Sequence, residues 1–271
     1  MVQILAVALC LMAAFPAHAG APVTDRPQRF VFARADVQRV AAAAYDRQVA
    51  DERRQGRLDL DVATLRRLQH ITDRIIAQAV KLKPAAVHWH WTLHLTSDPD
   101  VSAYCMAGGK LMVGSHFIQS YHLSDAELAV VLGHEVGHAI AEHVREQVSA
   151  VLLQHPRNPD RDLDDVIAEM NSDMSTFIRL APLSKIQEQE ADRIGIRLAA
   201  MAGFPPSAAL DFYAKLAQDE RRHPGRSLFN THLPGLARRQ AAKAIVADVE
   251  HYYHSDVSAA VVHDYLERVG N

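Results

Sequence analysis

Two histidines flanking a glutamate, in the run His134-Glu135-Val136-Gly137-His138, are the residues whose type and spacing could do chemistry here. On a helix, positions four apart lie one above the other, so both imidazoles can reach a single metal ion. A catalytic zinc takes three nitrogen, oxygen or sulfur ligands from protein and keeps one position open for water, and a Glu directly after the first His faces that position as a general base. A third ligand must come from elsewhere. One known pattern adds a Gly and a third His on the same run, but Ala141 stands at the Gly position and Val144 at the His position. His143 falls one place short, and continuing helix phase turns it away.

A carboxylate from a second helix is the other solution. Glu188-Gln189-Glu190-Ala191-Asp192 presents Glu188 and Asp192 four apart on one face, with Glu190 pointing elsewhere. Glu188 would complete a site for one zinc per chain, and Asp192 could accept a proton from the far nitrogen of a ligand His. Gly133 and Gly137, also four apart, would let another backbone approach the same helix closely.

These side chains need elements to hold them. Ser124 and Glu127 form a capping box that opens a helix through both histidines to about residue 148. Ser184 opens the helix that carries Glu188 and Asp192, and Gly203 ends it near Ala202. Before the first histidine the pattern alternates. Trp89, Trp91, Leu93 and Leu95 share one face of a strand with His90, Thr92 and His94 on the wet side, and short strands follow at Val101–Met106 and Lys110–Val113 around Ala107-Gly108-Gly109. Helices are expected from Asp36 to about Gln55 and from Asp61 to Lys83, and again after Pro205-Pro206-Ser207 and toward the C-terminus. Leu163, Val166, Ile167, Met170, Met174, Phe177 and Ile178 follow a helical stripe that reads as core. The fold class is therefore α+β and mostly helical, with a small sheet whose edge strand flanks the metal-site helix.

The remaining features set the context. Ile4–Phe15 is apolar but too short to span a bilayer, and Ala17-His18-Ala19 precedes Gly20, the pattern of a signal peptide over residues 1–19, although Met1-Val2-Gln3 carries no Lys or Arg. A leader segment over 20–35 and one catalytic domain over 36–271 follow. With Cys10 inside the signal, Cys105 is alone and no internal disulfide forms. A net charge of -3 gives no electrostatic support for binding nucleic acid, and no later stretch is apolar enough for a membrane span.

The motif, followed some fifty residues on by Ser184-x-x-x-Glu188-x-x-x-Asp192, resembles the zinc metallopeptidases of the HtpX and CAAX-prenyl-protease type over roughly residues 85 to 245. The closer likeness is to soluble periplasmic members of the BepA and LoiP kind. That resemblance implies a gluzincin-like protease fold, with His134, His138 and Glu188 as zinc ligands, Glu135 as the catalytic glutamate and Asp192 as the carboxylate behind the ligands. Ser102–Gly109 resembles the family's edge strand, with Ser102 and Ala107 in place of Asn and Pro. Asn230-Thr231-His232-Leu233-Pro234 resembles its Thr-His-Pro loop with Leu233 interposed, which makes His232 a second catalytic candidate, either steadying an oxyanion or capping the metal at rest. The expected activity is cleavage of unfolded or misfolded envelope proteins, outer-membrane proteins among them, in the periplasm. The alternatives are a chaperone-like protein on the same fold, or a metal-binding protein, suggested by the 16 histidines.

Overall fold

A computed structural model describes residues 23–155, 158, 160–223 and 233–253. The expected signal peptide and His232 lie outside these residues. The first segment, 23–33, runs without regular structure into helix α1 (Arg34–Arg54) and then α2 (Val62–Leu82), whose N-terminus is capped by Asp61 accepting from the Thr64 amide. A 3-10 turn (Pro84–His88) leads to three strands, β1 (Thr92–Thr96), β2 (Ala103–Met106) and β3 (Lys110–Gly114). The short α3 (Ser115–Ser120) precedes α4 (Asp125–Ile140), α5 (His143–Leu153), α6 (Leu163–Ser172), α7 (Met174–Met201), α8 (Ala208–Arg222) and α9 (Gly235–Tyr253). No helix among the described residues is long and apolar enough to cross a membrane.

The sheet has the order β1-β3-β2, with β3 parallel to β1 and antiparallel to β2, so β2 is an edge. Gly108 and Gly109 make the β2–β3 turn with φ of +84° and +83°, and a Cβ on Gly109 would strike the Trp91 ring. The first strand starts later than its alternation suggests. A 3-10 turn occupies Pro84–His88, the strand begins at Thr92 rather than at Trp89, and the Trp91 indole folds back to donate to the Ala86 carbonyl at 3.0 Å. His90 is exposed as expected, but it lies with the exposed His88 on the turn and its exit rather than on the strand.

Helix α4 is the buried axis. Its capping box forms as expected: Ser124 Oγ accepts from the Glu127 amide, and Glu127 accepts from the Ser124 amide at 2.9 Å. It crosses α7 at a glycine pair, since a Cβ on Gly133 would lie 2.5 Å from the Gly195 carbonyl oxygen, and one on Gly195 would lie 2.5 Å from the His134 amide nitrogen. Gly137 faces the Ala191 carbonyl in the same way at 3.2 Å. The close approach expected of Gly133 and Gly137 is thus present, and its partner is Gly195, which the sequence reading did not single out.

Three expectations need correction. The metal-site helix does not continue to residue 148. It stops at Ala141, and Glu142 turns the chain with φ +56° before α5 begins. No Gly stands there; the left-handed turn is held by ion pairs from Glu142 to Arg34, Lys83 and Arg145 at 2.7, 2.6 and 2.7 Å. The second metal-site helix begins at Met174, ten residues before Ser184, because Asp173 caps it and the helix runs through Pro182. The apolar stripe is therefore split between α6 and α7. Leu163 and Val166 are buried with Leu180 beneath α5, but Met174 and Ile178 are 70% and 65% exposed.

Candidate metal centre

His134 and His138 project from α4 toward α7, which crosses close enough at the glycine pair to bring Glu188 beside them. The Nε2 atoms of the two histidines are 3.1 Å apart. Glu188 Oε1 is 3.2 Å from His138 Nε2, and Oε2 is 3.6 Å from His134 Nε2. A tetrahedral ion with bonds of about 2.0–2.1 Å holds neighbouring donors about 3.3 Å apart. Two imidazole nitrogens and the Glu188 carboxylate are therefore spaced to fit around one small divalent ion, and the three residues form a group that could hold a metal.

Behind His134, the far nitrogen Nδ1 lies 2.9 Å from Asp192 Oδ1. Asp192 also accepts from the Tyr213 hydroxyl at 2.8 Å and from Arg238 Nε at 3.0 Å. All four side chains are buried. Burial works against the charge on Asp192, but Arg238 and His134 outweigh it and hold the carboxyl well below the usual range. His134 is pushed down to about 3, by burial first and then by the neighbouring guanidinium. It is thus a neutral imidazole over the ordinary pH range, as a metal ligand must be. His138 moves the other way: burial lowers it, yet the hydrogen bond and charge of Glu188 raise it overall. The pocket favours positive charge at that point.

Glu135 is buried and lines, with His138, His143 and Glu188, a cleft of about 480 Å³ whose other wall includes Tyr104 and Cys105 of the edge strand β2. Ser184, Lys185, Leu180 and Met170 close its far side. The expected site residues Glu135, His134, His138, Glu188 and Asp192 are all brought together.

One reading of phase fails and another holds. His143 was expected to point elsewhere, but the turn at Glu142 re-aims it, and its Nδ1 lies 2.9 Å from Nδ1 of His138. Glu190 does face away from the donor group, yet it is buried against His143, with Oε2 3.2 Å from His143 Nε2. Tyr213 and Arg238 are further residues of the site that the sequence does not single out. Nothing in the local pattern of α9 marks Arg238, and only its partner Asp192 gives a reason for a buried guanidinium.

Comparisons with known proteins agree with this geometry. The model of Peptidase family M48 matches residues 63–246, an interval that contains all the residues above and begins earlier than the motifs do. The mitochondrial metalloendopeptidase OMA1 of Arabidopsis thaliana is 35% identical over 137 residues, which cover 47% of this chain and 26% of that protein. Metalloendopeptidase OMA1, mitochondrial, of Bos taurus is 30% identical over 155 residues, covering 52% and 29%. The beta-barrel assembly-enhancing protease of Escherichia coli K12 is 26% identical over 143 residues, covering 49% and 29%. The chain thus spans less than a third of the length of these relatives.

Proposed function

The chain belongs to peptidase family M48, and from that premise we propose that it is an exported zinc-dependent endopeptidase acting on unfolded or misfolded envelope proteins. The observation that carries this reading is the mutual spacing of His134 Nε2, His138 Nε2 and the Glu188 carboxylate, at 3.1, 3.2 and 3.6 Å. Two imidazoles and a carboxylate are donors suited to zinc, and they leave a position open. When bound there, zinc supplies Lewis-acid polarisation of a peptide carbonyl and acidifies water.

The chain's own residues supply the rest. An extended substrate pairs its backbone with the edge of β2, which fixes a peptide carbonyl in the cleft shared by Tyr104, Cys105 and Glu135. Glu135 takes a proton from the attacking water as its oxygen bonds to the carbonyl carbon. It then delivers that proton to the amine nitrogen as the C–N bond breaks. Asp192 holds the tautomer of His134 that leaves Nε2 free for the metal. His232 is retained from the sequence motif as the group that steadies the oxyanion.

Export rests on the residues 1–19 pattern, and the substrate class on likeness to a protease named for beta-barrel assembly. A Glu135→Gln variant should cut casein about 10² to 10⁴ times more slowly than the parent while retaining its zinc. Cleavage at the parental rate by the purified variant would remove Glu135 from this role. A His232→Ala variant with parental activity would do the same for His232.

A further inference from the structure

This inference rests on the metal reading above and concerns what holds His138. Its Nε2 faces His134 and Glu188, and its Nδ1 lies 2.9 Å from His143 Nδ1. His143 is 1% exposed, and its other nitrogen is 3.2 Å from Glu190 Oε2. Glu190 accepts from Arg26 Nη2 at 3.0 Å, and the same nitrogen reaches Glu146 Oε2 at 2.7 Å.

Elementary chemistry gives each of these bonds a direction. An imidazole that lends its Nε2 lone pair to a metal carries its proton on Nδ1, so His138 donates and His143 accepts. A neutral His143 then carries its own proton on Nε2 and donates it to Glu190, whose carboxylate only accepts. Arg26 supplies the balancing charge. Each of these bonds then joins a donor to an acceptor, which makes the series a longer counterpart of the direct contact between His134 and Asp192.

We propose that His143 is the positioning residue of His138, and that Arg26 of the N-terminal segment locks it in place through Glu190. The backbone is built to allow this. On an unbroken helix, a residue five positions on would be turned about 140° away. The left-handed turn at Glu142 cancels that rotation. Gln187, next to Glu188, donates to the His143 carbonyl at 3.2 Å and to Glu146 at 2.8 Å. The N-terminal segment is stitched across the same bend. Gln28 donates to the Ala141 carbonyl at 2.8 Å, the Val31 amide to Ser149 Oγ at 2.9 Å, and Arg145 to the Phe32 carbonyl at 2.8 Å.

The test uses the full chain and its variants, with zinc affinity read by competition against a chromophoric chelator and ligand geometry by the visible spectrum of the cobalt-substituted protein. His143→Leu should weaken zinc binding about 10- to 100-fold and alter the cobalt spectrum. His143→Asn keeps an acceptor near the Nδ1 position and should recover most of the affinity, and Arg26→Gln should cause a smaller loss of the same kind. Should circular dichroism show His143→Leu unfolded, His143→Gln takes its place, since its longer side chain sets the acceptor elsewhere. Parental affinity in His143→Leu, or equal losses in the Asn and Leu variants, would overturn the proposal while leaving the zinc site intact. A parent whose zinc binding ignores His134→Ala would overturn the metal reading, and this inference with it.

Discussion

His134 and His138 stand one turn apart on α4, yet their far nitrogens are held by regions of different character. Behind His134, one carboxylate makes direct contact, and Asp192, Tyr213 and Arg238 come from α7, α8 and α9, all sealed in the interior. Behind His138, support passes through His143 and Glu190 to Arg26, whose side chain is 25% exposed on a segment without regular structure. The first region pairs charges where water cannot screen them. The second also buries its histidine and carboxylates but ends on a partly exposed guanidinium, where a contact contributes less. One imidazole should therefore be fixed by an all-or-none clamp, and the other by a graded one.

The largest effect is expected from breaking the buried clamp. Asp192→Asn leaves the Arg238 guanidinium without its charge partner, and loss of one member of a buried pair costs about 3–5 kcal/mol. Urea unfolding of the metal-free protein measures it, and a loss under 1 kcal/mol would erase the contrast drawn here. Next comes the glycine pair that both regions share. Gly195→Ala puts a methyl group against the His134 amide nitrogen, and overpacking of this kind costs about 1–3 kcal/mol. It should also weaken metal binding, because α7 can yield only by carrying Glu188 away from α4; unchanged melting and metal affinity would show that the crossing has slack.

How much of this was legible in the sequence follows the same division. Spacing within one helix is local, so the His134, Glu135 and His138 set could be read directly, and so could the capping box at Ser124 and the glycines at 133 and 137, with Glu188 as the carboxylate from a second helix; the role of Asp192 came from the family resemblance rather than from spacing. The supports were not, because each depends on where another element lands. Arg238 sits on a helix whose own pattern gives no sign of burial, and His143 depends on a left-handed residue that is neither Gly nor Asn. Three cations from α1, the end of α2 and α5 stabilise that turn, and none of them is near Glu142 in sequence except Arg145. Ser184 misled in the opposite sense: it reads as a helix start, but Asp173 caps the chain earlier and the helix runs through Pro182 to reach it.

Glu142 offers a third test, through pH. Burial opposes its charge, but Arg34, Lys83 and Arg145 bring it down to about 2. A carboxyl depressed in the folded state contributes stability that is full above its unfolded value and is lost as pH falls through the folded one. The metal-free protein should therefore lose stability between about pH 4.5 and pH 2, and Glu142→Gln should flatten that acid limb. An unchanged limb would mean that the turn aiming His143 is held by something else. The smallest effect belongs to Arg26→Gln. Its partly exposed pairs should contribute roughly 1 kcal/mol or less to unfolding of the metal-free protein, and a loss as large as that of Asp192→Asn would abolish the distinction between the two clamps.

The central claim is that the two α4 imidazoles and Glu188 close on one ion, and zinc analysis of the purified chain beside His134→Ala and Glu188→Gln tests it most directly. The account predicts about one zinc per parent chain, as a single site of three protein ligands requires, with most of that metal lost in each variant after dialysis. A parent that binds no zinc, or variants that keep the parental amount, would contradict it.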